Sequence, residues 1–129
     1  GLFSADASGT GYAAANIVRI TPSGTQTVEP GVSVDSKGNI SAVPIAFNGD
    51  RLVLVLYGTG IRERSSLANT LVYFNGQAKI PAYAGPQNQF YGLDQVNIDL
   101  PPSLAGANDV SIELSVDGVP SNSVDVVFQ

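Results

Sequence analysis

The chain contains no cysteine and no histidine. Their joint absence removes thiolate nucleophiles, imidazole general bases and the usual ligands of zinc, copper and haem iron. No cofactor is expected, and catalysis is not the expected role. A cysteine-free chain also carries no disulfide record of its compartment. Methionine is absent too, which gives the expectation that Gly1 is a cut end, either a processed terminus or a fragment boundary, with any signal peptide already removed. Positive charge is scarce: six Lys and Arg stand against eleven Asp and Glu, a net charge of −5. No basic stretch exists to neutralise phosphates, so nucleic acid is not an expected partner. Long hydrophobic runs are lacking as well. The longest, residues 52–56, is too short to cross a bilayer, so membrane insertion is not expected.

What remains is 129 residues, 43% of them hydrophobic and 13% charged. That length supports one domain with its own core, and that hydrophobic content argues against disorder. Runs of about five to eight strand-forming residues, separated by Gly, Pro, Asn and Asp, recur from Ala15 to the end. No stretch keeps a helical period, and the pattern is the all-β signature of a sandwich or barrel with antiparallel hairpins. Val96, Ile98 and Leu100 alternate with Gln95, Asn97 and Asp99, so one face of that strand turns inward. Val110, Ile112, Leu114 and Val116 alternate with polar residues up to Asp117-Gly118, a tight-hairpin dipeptide that returns the chain through Val124, Val126 and Phe128. Asn75-Gly76 marks a second hairpin, between Thr70–Phe74 and residues 77–83. The unbroken run at 52–57 predicts a strand covered on both faces, or one whose outer face is covered by another segment or subunit. Residues 61–67 predict a charged loop or a short helical turn. Upstream, residues 16–21, 25–34 and 40–47 predict two further hairpins, with Pro30 and Pro44 at edges or bulges. Residues 1–14 are small and nearly uncharged, and predict a flexible arm or linker ahead of a single domain at 15–129.

Several side-chain groupings are candidates for chemistry. Asp94 with Asp99, and Asp117 with Asp125, are the carboxylate pairs that glycoside hydrolysis would need, although Asp99 belongs on a polar strand face. A Ser–Lys arrangement would need Lys37 or Lys79 desolvated, and Lys37 sits in a turn. Asp35-Ser36-Lys37-Gly38-Asn39 looks like half a calcium loop, but Lys37 occupies a ligand position and the residues suit a hairpin turn better. Lys79, Asn97 and Glu113 could form an isopeptide bond only if all three faced the core. Arg62-Glu63-Arg64 is the densest charge cluster and reads chiefly as a solvated loop. The aromatic residues Tyr83, Phe90 and Tyr91, with Arg62 and Arg64 nearby, form a possible ligand loop on which a sugar face could stack.

From Leu52 onward a hydrophobic strand, Gly58-Thr59-Gly60-Ile61, a loop, residues 71–78, Tyr83-Ala84-Gly85-Pro86, residues 93–101 with their Gln95-Val96-Asn97, and residues 116–124, in that order, resemble the IPT/TIG class of immunoglobulin-like domains, and Gly1-Leu2-Phe3 opens the chain ahead of them. More closely, they resemble the uncharacterised immunoglobulin-like C-terminal domain of large secreted acidobacterial proteins. The resemblance covers nearly the whole chain, with residues 51–129 as the IPT/TIG-like part and 15–50 as added hairpins. It implies a β-sandwich in a secreted, extracellular or cell-surface setting, and it brings no catalytic residues. Two functions follow as expectations. In the first the chain is a structural module that associates with itself, its arm adding a strand to a neighbour through Leu2, Phe3, Tyr12 and Ile17. In the second it is a spacer or binding domain that presents its end loops to a glycan or a surface protein.

Overall fold

Alternation of side chains along each strand decides the layers. The computed structural model describes all 129 residues as eleven strands: β1 (Ala15–Ile20), β2 (Gln26–Pro30), β3 (Val32–Val34), β4 (Ile40–Ala42), β5 (Arg51–Gly58), β6 (Thr70–Phe74), β7 (Gln77–Lys79), β8 (Tyr83–Pro86), β9 (Asp94–Asp99), β10 (Asn108–Val116) and β11 (Val119–Phe128). Two one-turn 3-10 helices, Leu67–Asn69 and Pro102–Leu104, are the only helical elements, and neither could cross a membrane. One sheet has the order β2-β1-β5-β9-β8 and the other β11-β10-β6-β7, while β3 and β4 form a separate ribbon. Every named strand pairing is antiparallel. The chain is thus an all-β antiparallel sandwich.

The core is the set of inward-facing positions. Ile17 on β1, Leu52, Leu54 and Leu56 on β5, and Val96 and Ile98 on β9 face Val72 on β6, Val110, Ile112 and Leu114 on β10, and Val124, Val126 and Phe128 on β11. β5 is central in its sheet, and the cover expected on both of its faces is found in part: Leu52, Leu54 and Leu56 are buried inward, while on the outer face Val53 and Tyr57 are only half-buried. Val55 points to the opposite face and is still buried, lying in register between Asn16 and Asn97. Both hairpin dipeptides fold as read: Asn75 and Gly76, and Asp117 and Gly118, all have positive φ, which lets the two turns follow the twist of their strands. The span 25–34 breaks at Gly31, where a Cβ would sit 3.2 Å from the Ala15 carbonyl oxygen. β2 is an edge strand ending at Pro30, where no neighbour asks for the missing N–H.

Residues 15–50 are not an appendage, because β1 inserts directly beside β5 over six residue pairs. Arg19 on β1 pins the return loop beneath it. Its guanidinium bridges Glu29 at 2.6 Å and Asp50 at 3.0 Å and donates to the carbonyls of Ala46 and Phe47. Those two carboxylates lift the Arg19 pKa further above its ordinary value, and Arg19 in turn lowers that of Glu29.

Residues 1–14 differ from the expected free arm. They lie on their own domain, with Leu2 and Ala13 inside the core cluster. Leu2 forms an antiparallel bridge with Gly58 at the end of β5, and Ser4 one with Ala13. Tyr12 forms a parallel bridge with Asp125 on β11. The chain therefore pairs with the second sheet at Tyr12 and with the first from Ala15 onward, switching sheets in between. Of the four anchors expected in the arm, Leu2 is buried, Phe3 is 40% exposed, Tyr12 is half-buried, and Ile17 belongs to a central core strand rather than to any arm.

Truncating the fully buried Leu54 to Ala is expected to cost about 3–4 kcal/mol, the lost transfer energy plus a cavity between the sheets. Urea unfolding of Leu54→Ala against the parent chain checks this, with an unchanged m-value expected.

Candidate functional site

One end of the sandwich gathers the residues 58–66, the loop 87–93, the β10–β11 turn and the N-terminus. The organising group is Asp94. It begins β9 with the same parity as Val96, Ile98 and Leu100, so its side chain enters the core face and is only 1% exposed. Its carboxylate accepts from the Ile61 and Arg62 backbone N–H groups at 2.8 and 3.0 Å, and from Arg62 Nε at 2.6 Å. Burial alone would raise the Asp94 pKa, but these donors outweigh it and hold the carboxyl below its ordinary value. Ile61, drawn inward by the same contact, is buried.

The 58–66 segment is held at three more points. Arg64 Nε donates to the Ala84 carbonyl at 2.6 Å. Ser65 donates through its N–H and its hydroxyl to Asp117, at 2.9 and 2.6 Å. The Gly1 ammonium donates to the Thr59 carbonyl at 2.8 Å, and Thr59 N–H returns a bond to Gly1 O. At Gly58 a Cβ would overlap the Gly1 carbonyl, so this glycine is required by close approach. The Arg62-Glu63-Arg64 cluster, read from sequence as a solvated loop, is instead two structural clamps around an exposed Glu63.

The expected ligand loop divides in the same way. Tyr83 is half-buried: its ring lies over Gly85 and its hydroxyl donates to the Pro86 carbonyl at 2.5 Å. Phe90 and Tyr91 stand at the loop tip, 66% and 107% exposed. The loop that carries them is closed by its own backbone, Gln87 N–H donating to Leu93 O at 2.9 Å. Gln87 Oε1 accepts from the N–H groups of Gln89 and Phe90. A cleft of about 360 Å³ lies beside the two rings, lined also by Arg62, Asn88 and Gln89.

Several of the other candidate groups are spent in contacts within the fold. Asp99 is paired with Arg51 at 2.7 Å, which lowers its pKa, and Asp117 holds Ser65. Lys79 Nζ donates to the Asp99 carbonyl, Asn97 accepts from Gln95, and no hydrogen bond joins either to the other or to Glu113. Asp35 spends its carboxylate inside the β3–β4 turn, on Lys37 N–H, Asn39 N–H and the Asn39 amide.

Sequence reading missed Asp94 as a core residue, and the signal was its parity with Val96, Ile98 and Leu100. It also missed Asn122. Its amide accepts from Leu2 N–H and donates to the carbonyls of Leu2 and Gly9, each at 2.8 Å. Nothing local to Ser121-Asn122-Ser123 marks a partner 120 residues away.

Because the folded Asp94 pKa is depressed, the unfolded chain takes up a proton first as pH falls. Its stabilisation is full above the ordinary aspartate range and is lost as pH drops through about 4 and below. Asp94→Asn is expected to cost about 2–3 kcal/mol at pH 7, leaving the Arg62 donors poorly matched. It should also flatten the stability profile between about pH 5 and pH 3. Thermal melts of both chains across that range check each part. No family model, curated protein or solved structure matches the chain, so the resemblance read at Gly1–Phe3, Gly58–Ile61, Tyr83–Pro86 and Gln95–Asn97 rests on those residues alone.

Proposed function

We propose that the chain is a non-catalytic structural and interaction module of a secreted or cell-surface protein, immunoglobulin-like in kind, that associates with itself by exchanging residues 1–14 between copies. The observation that carries this reading is how the segment is held. Most of its contacts with the body are main-chain ones: strand-type bridges at Gly58 and Asp125, the paired Gly1 and Thr59 bonds, and the Asn122 amide reading groups of Leu2 and Gly9, while the only hydrophobic side chains it buries are Leu2 and the small Ala13. A receptor that reads backbone accepts the same segment from any copy. The joint between the segment and β1 lies where the chain switches sheets, a place that can straighten without unpairing β1 from β5.

Donor and receptor are different surfaces, so exchange links copies head to tail and propagates wherever the rotation does not close. Within one chain the short joint gives the segment an effective concentration in the millimolar range, so the closed monomer holds in dilute solution and exchange grows with concentration.

The cysteine-free background allows a direct test. Gly1 and Thr59 exchange both backbone hydrogen bonds, a geometry with Cα atoms about 5.5 Å apart that suits a disulfide. Chains carrying Gly1→Cys and chains carrying Thr59→Cys are mixed at about 1 mM, near the intramolecular effective concentration, and oxidised. The expected result is a disulfide-linked heterodimer, with higher oligomers or filaments of the parent chain by electron microscopy. Asn122→Ala should weaken both closed and exchanged forms and lower Tm by about 4–8 °C through loss of its bonds to Leu2 and Gly9. A double Gly1→Cys, Thr59→Cys chain that closes internally, while the single-cysteine mixture never crosslinks, would sink the exchange.

A further inference from the structure

We propose that the cleft beside Phe90 and Tyr91 is a binding subsite for a neutral polysaccharide, with a flat pyranose ring stacked on the Tyr91 side chain. The inference is independent of segment exchange, since the cleft is lined by none of residues 1–14 and by none of Gly58, Thr59, Asn122 and Asp125 that hold them.

An aromatic ring in open solvent is costly to display, and this loop is built to display two. Gln87 is its internal brace. Its side-chain oxygen accepts from Gln89 N–H at 2.9 Å and Phe90 N–H at 3.1 Å, and its Nε2 donates to Gln89 Oε1 at 3.0 Å. Asn88 and Gly92, on either side of the rings, take the left-handed backbone conformation that turns the chain sharply at each shoulder. Below, Tyr83 holds Pro86 and Asp94 holds Arg62. The platform is therefore pre-organised, which spares a ligand much of the cost of ordering it.

The chemistry around the rings selects the ligand. The cleft is small and open, about 360 Å³, on the scale of a site for one or two sugar units. A stable protein interface would bury about 800 Å² on each side, and the two rings stand at a tip among amides rather than in a broad apolar field. The unspent polar groups are hydrogen-bonding and directional. The Asn88 side chain has no internal partner, Gln89 Nε2 is free, and Arg62, bonded through Nε and Nη2 to Asp94 and the Leu93 carbonyl, leaves Nη1 free. Hydroxyl groups around a pyranose can pair with these amides and this guanidinium while its axial C–H face lies on a ring. Charge decides between neutral and anionic sugars. The Arg62 cation is already neutralised at 2.6 Å by buried Asp94, so the cleft offers donors without a net positive field. All-equatorial β-linked pyranoses present the flattest C–H face and are the favoured class.

The test is titration of the ¹⁵N-labelled chain with cellohexaose, xylohexaose and laminarihexaose, and in parallel with a heparin hexasaccharide and a polygalacturonate oligomer. At least one neutral oligosaccharide is expected to shift the amides of residues 87–93 with a Kd between about 10 μM and 1 mM. Tyr91→Ala should weaken that binding at least about fivefold, while Tyr91→Phe keeps the ring and the affinity. Tyr91 is fully exposed, so both variants should give the parent spectrum away from the loop before ligand is added. The proposal is overturned by no shift in residues 87–93 with any neutral oligosaccharide at about 10 mM, by binding that Tyr91→Ala leaves unchanged, or by binding confined to the anionic sugars.

Discussion

The carboxylate of Asp94 is the constraint on which one whole end of this sandwich depends. A charged group on the core face of a strand is tolerated only if its hydrogen-bonding capacity is filled. Here Ile61 N–H, Arg62 N–H and Arg62 Nε fill it. Meeting that demand forces the segment after β5 to fold back over the start of β9, buries Ile61 and places Arg62 beside the aromatic loop. The same segment reaches β8 through Arg64, the β10–β11 turn through Ser65 and the N-terminus through Thr59. Loops that in another sandwich would move independently are thus tied to one buried charge.

The N-terminal segment solves a different problem at the side of the molecule. β11 is an edge strand, and an open edge invites pairing with any chain that can reach it. Tyr12 covers that edge at Asp125, and Ile45 covers it again at Phe128 through bonds to Val127 and Gln129. Residues 4–10 fold into their own turn, with Asp6 accepting from Ser4 and Ser8 and its pKa lowered to about 2, chiefly by the Ser8 hydroxyl. The segment is therefore a preformed piece clipped onto the body by backbone contacts. The exchange proposed between chains would therefore draw on the same groups that protect the edge within one chain. β2 and β7 end their sheets without such cover, and Glu29, Pro30 and Lys79 put charge and a missing donor there instead, while on the β8 edge Arg64 caps the Ala84 carbonyl.

Most of the architecture was legible in the amino-acid order, because it follows from short-range rules. Period-two alternation placed the inward faces of β9, β10 and β11, and the unbroken 52–57 run marked a strand whose inner face is wholly buried. Asn75-Gly76 and Asp117-Gly118 placed two turns because few other residues reach positive φ at both positions. Asp35–Asn39 was equally local, since its carboxylate binds backbone two and four residues away. The reading failed where residues distant in the chain compete for the same group. Residues 1–14 have the composition of a linker, yet Asn122 and Gly58 dock them. Arg62 and Arg64 have the charge of a solvated loop, yet Asp94 and the Ala84 carbonyl claim them. Tyr83 and Tyr91 look alike in sequence, yet one braces the loop and the other stands in solvent. The sequence by itself determined the strands, their faces and their turns, because those depend on neighbours a few residues away. Only the tertiary structure decided which polar groups are spent on holding the fold and which stay unspent at the surface, because a hydrogen bond is assigned by distance in space.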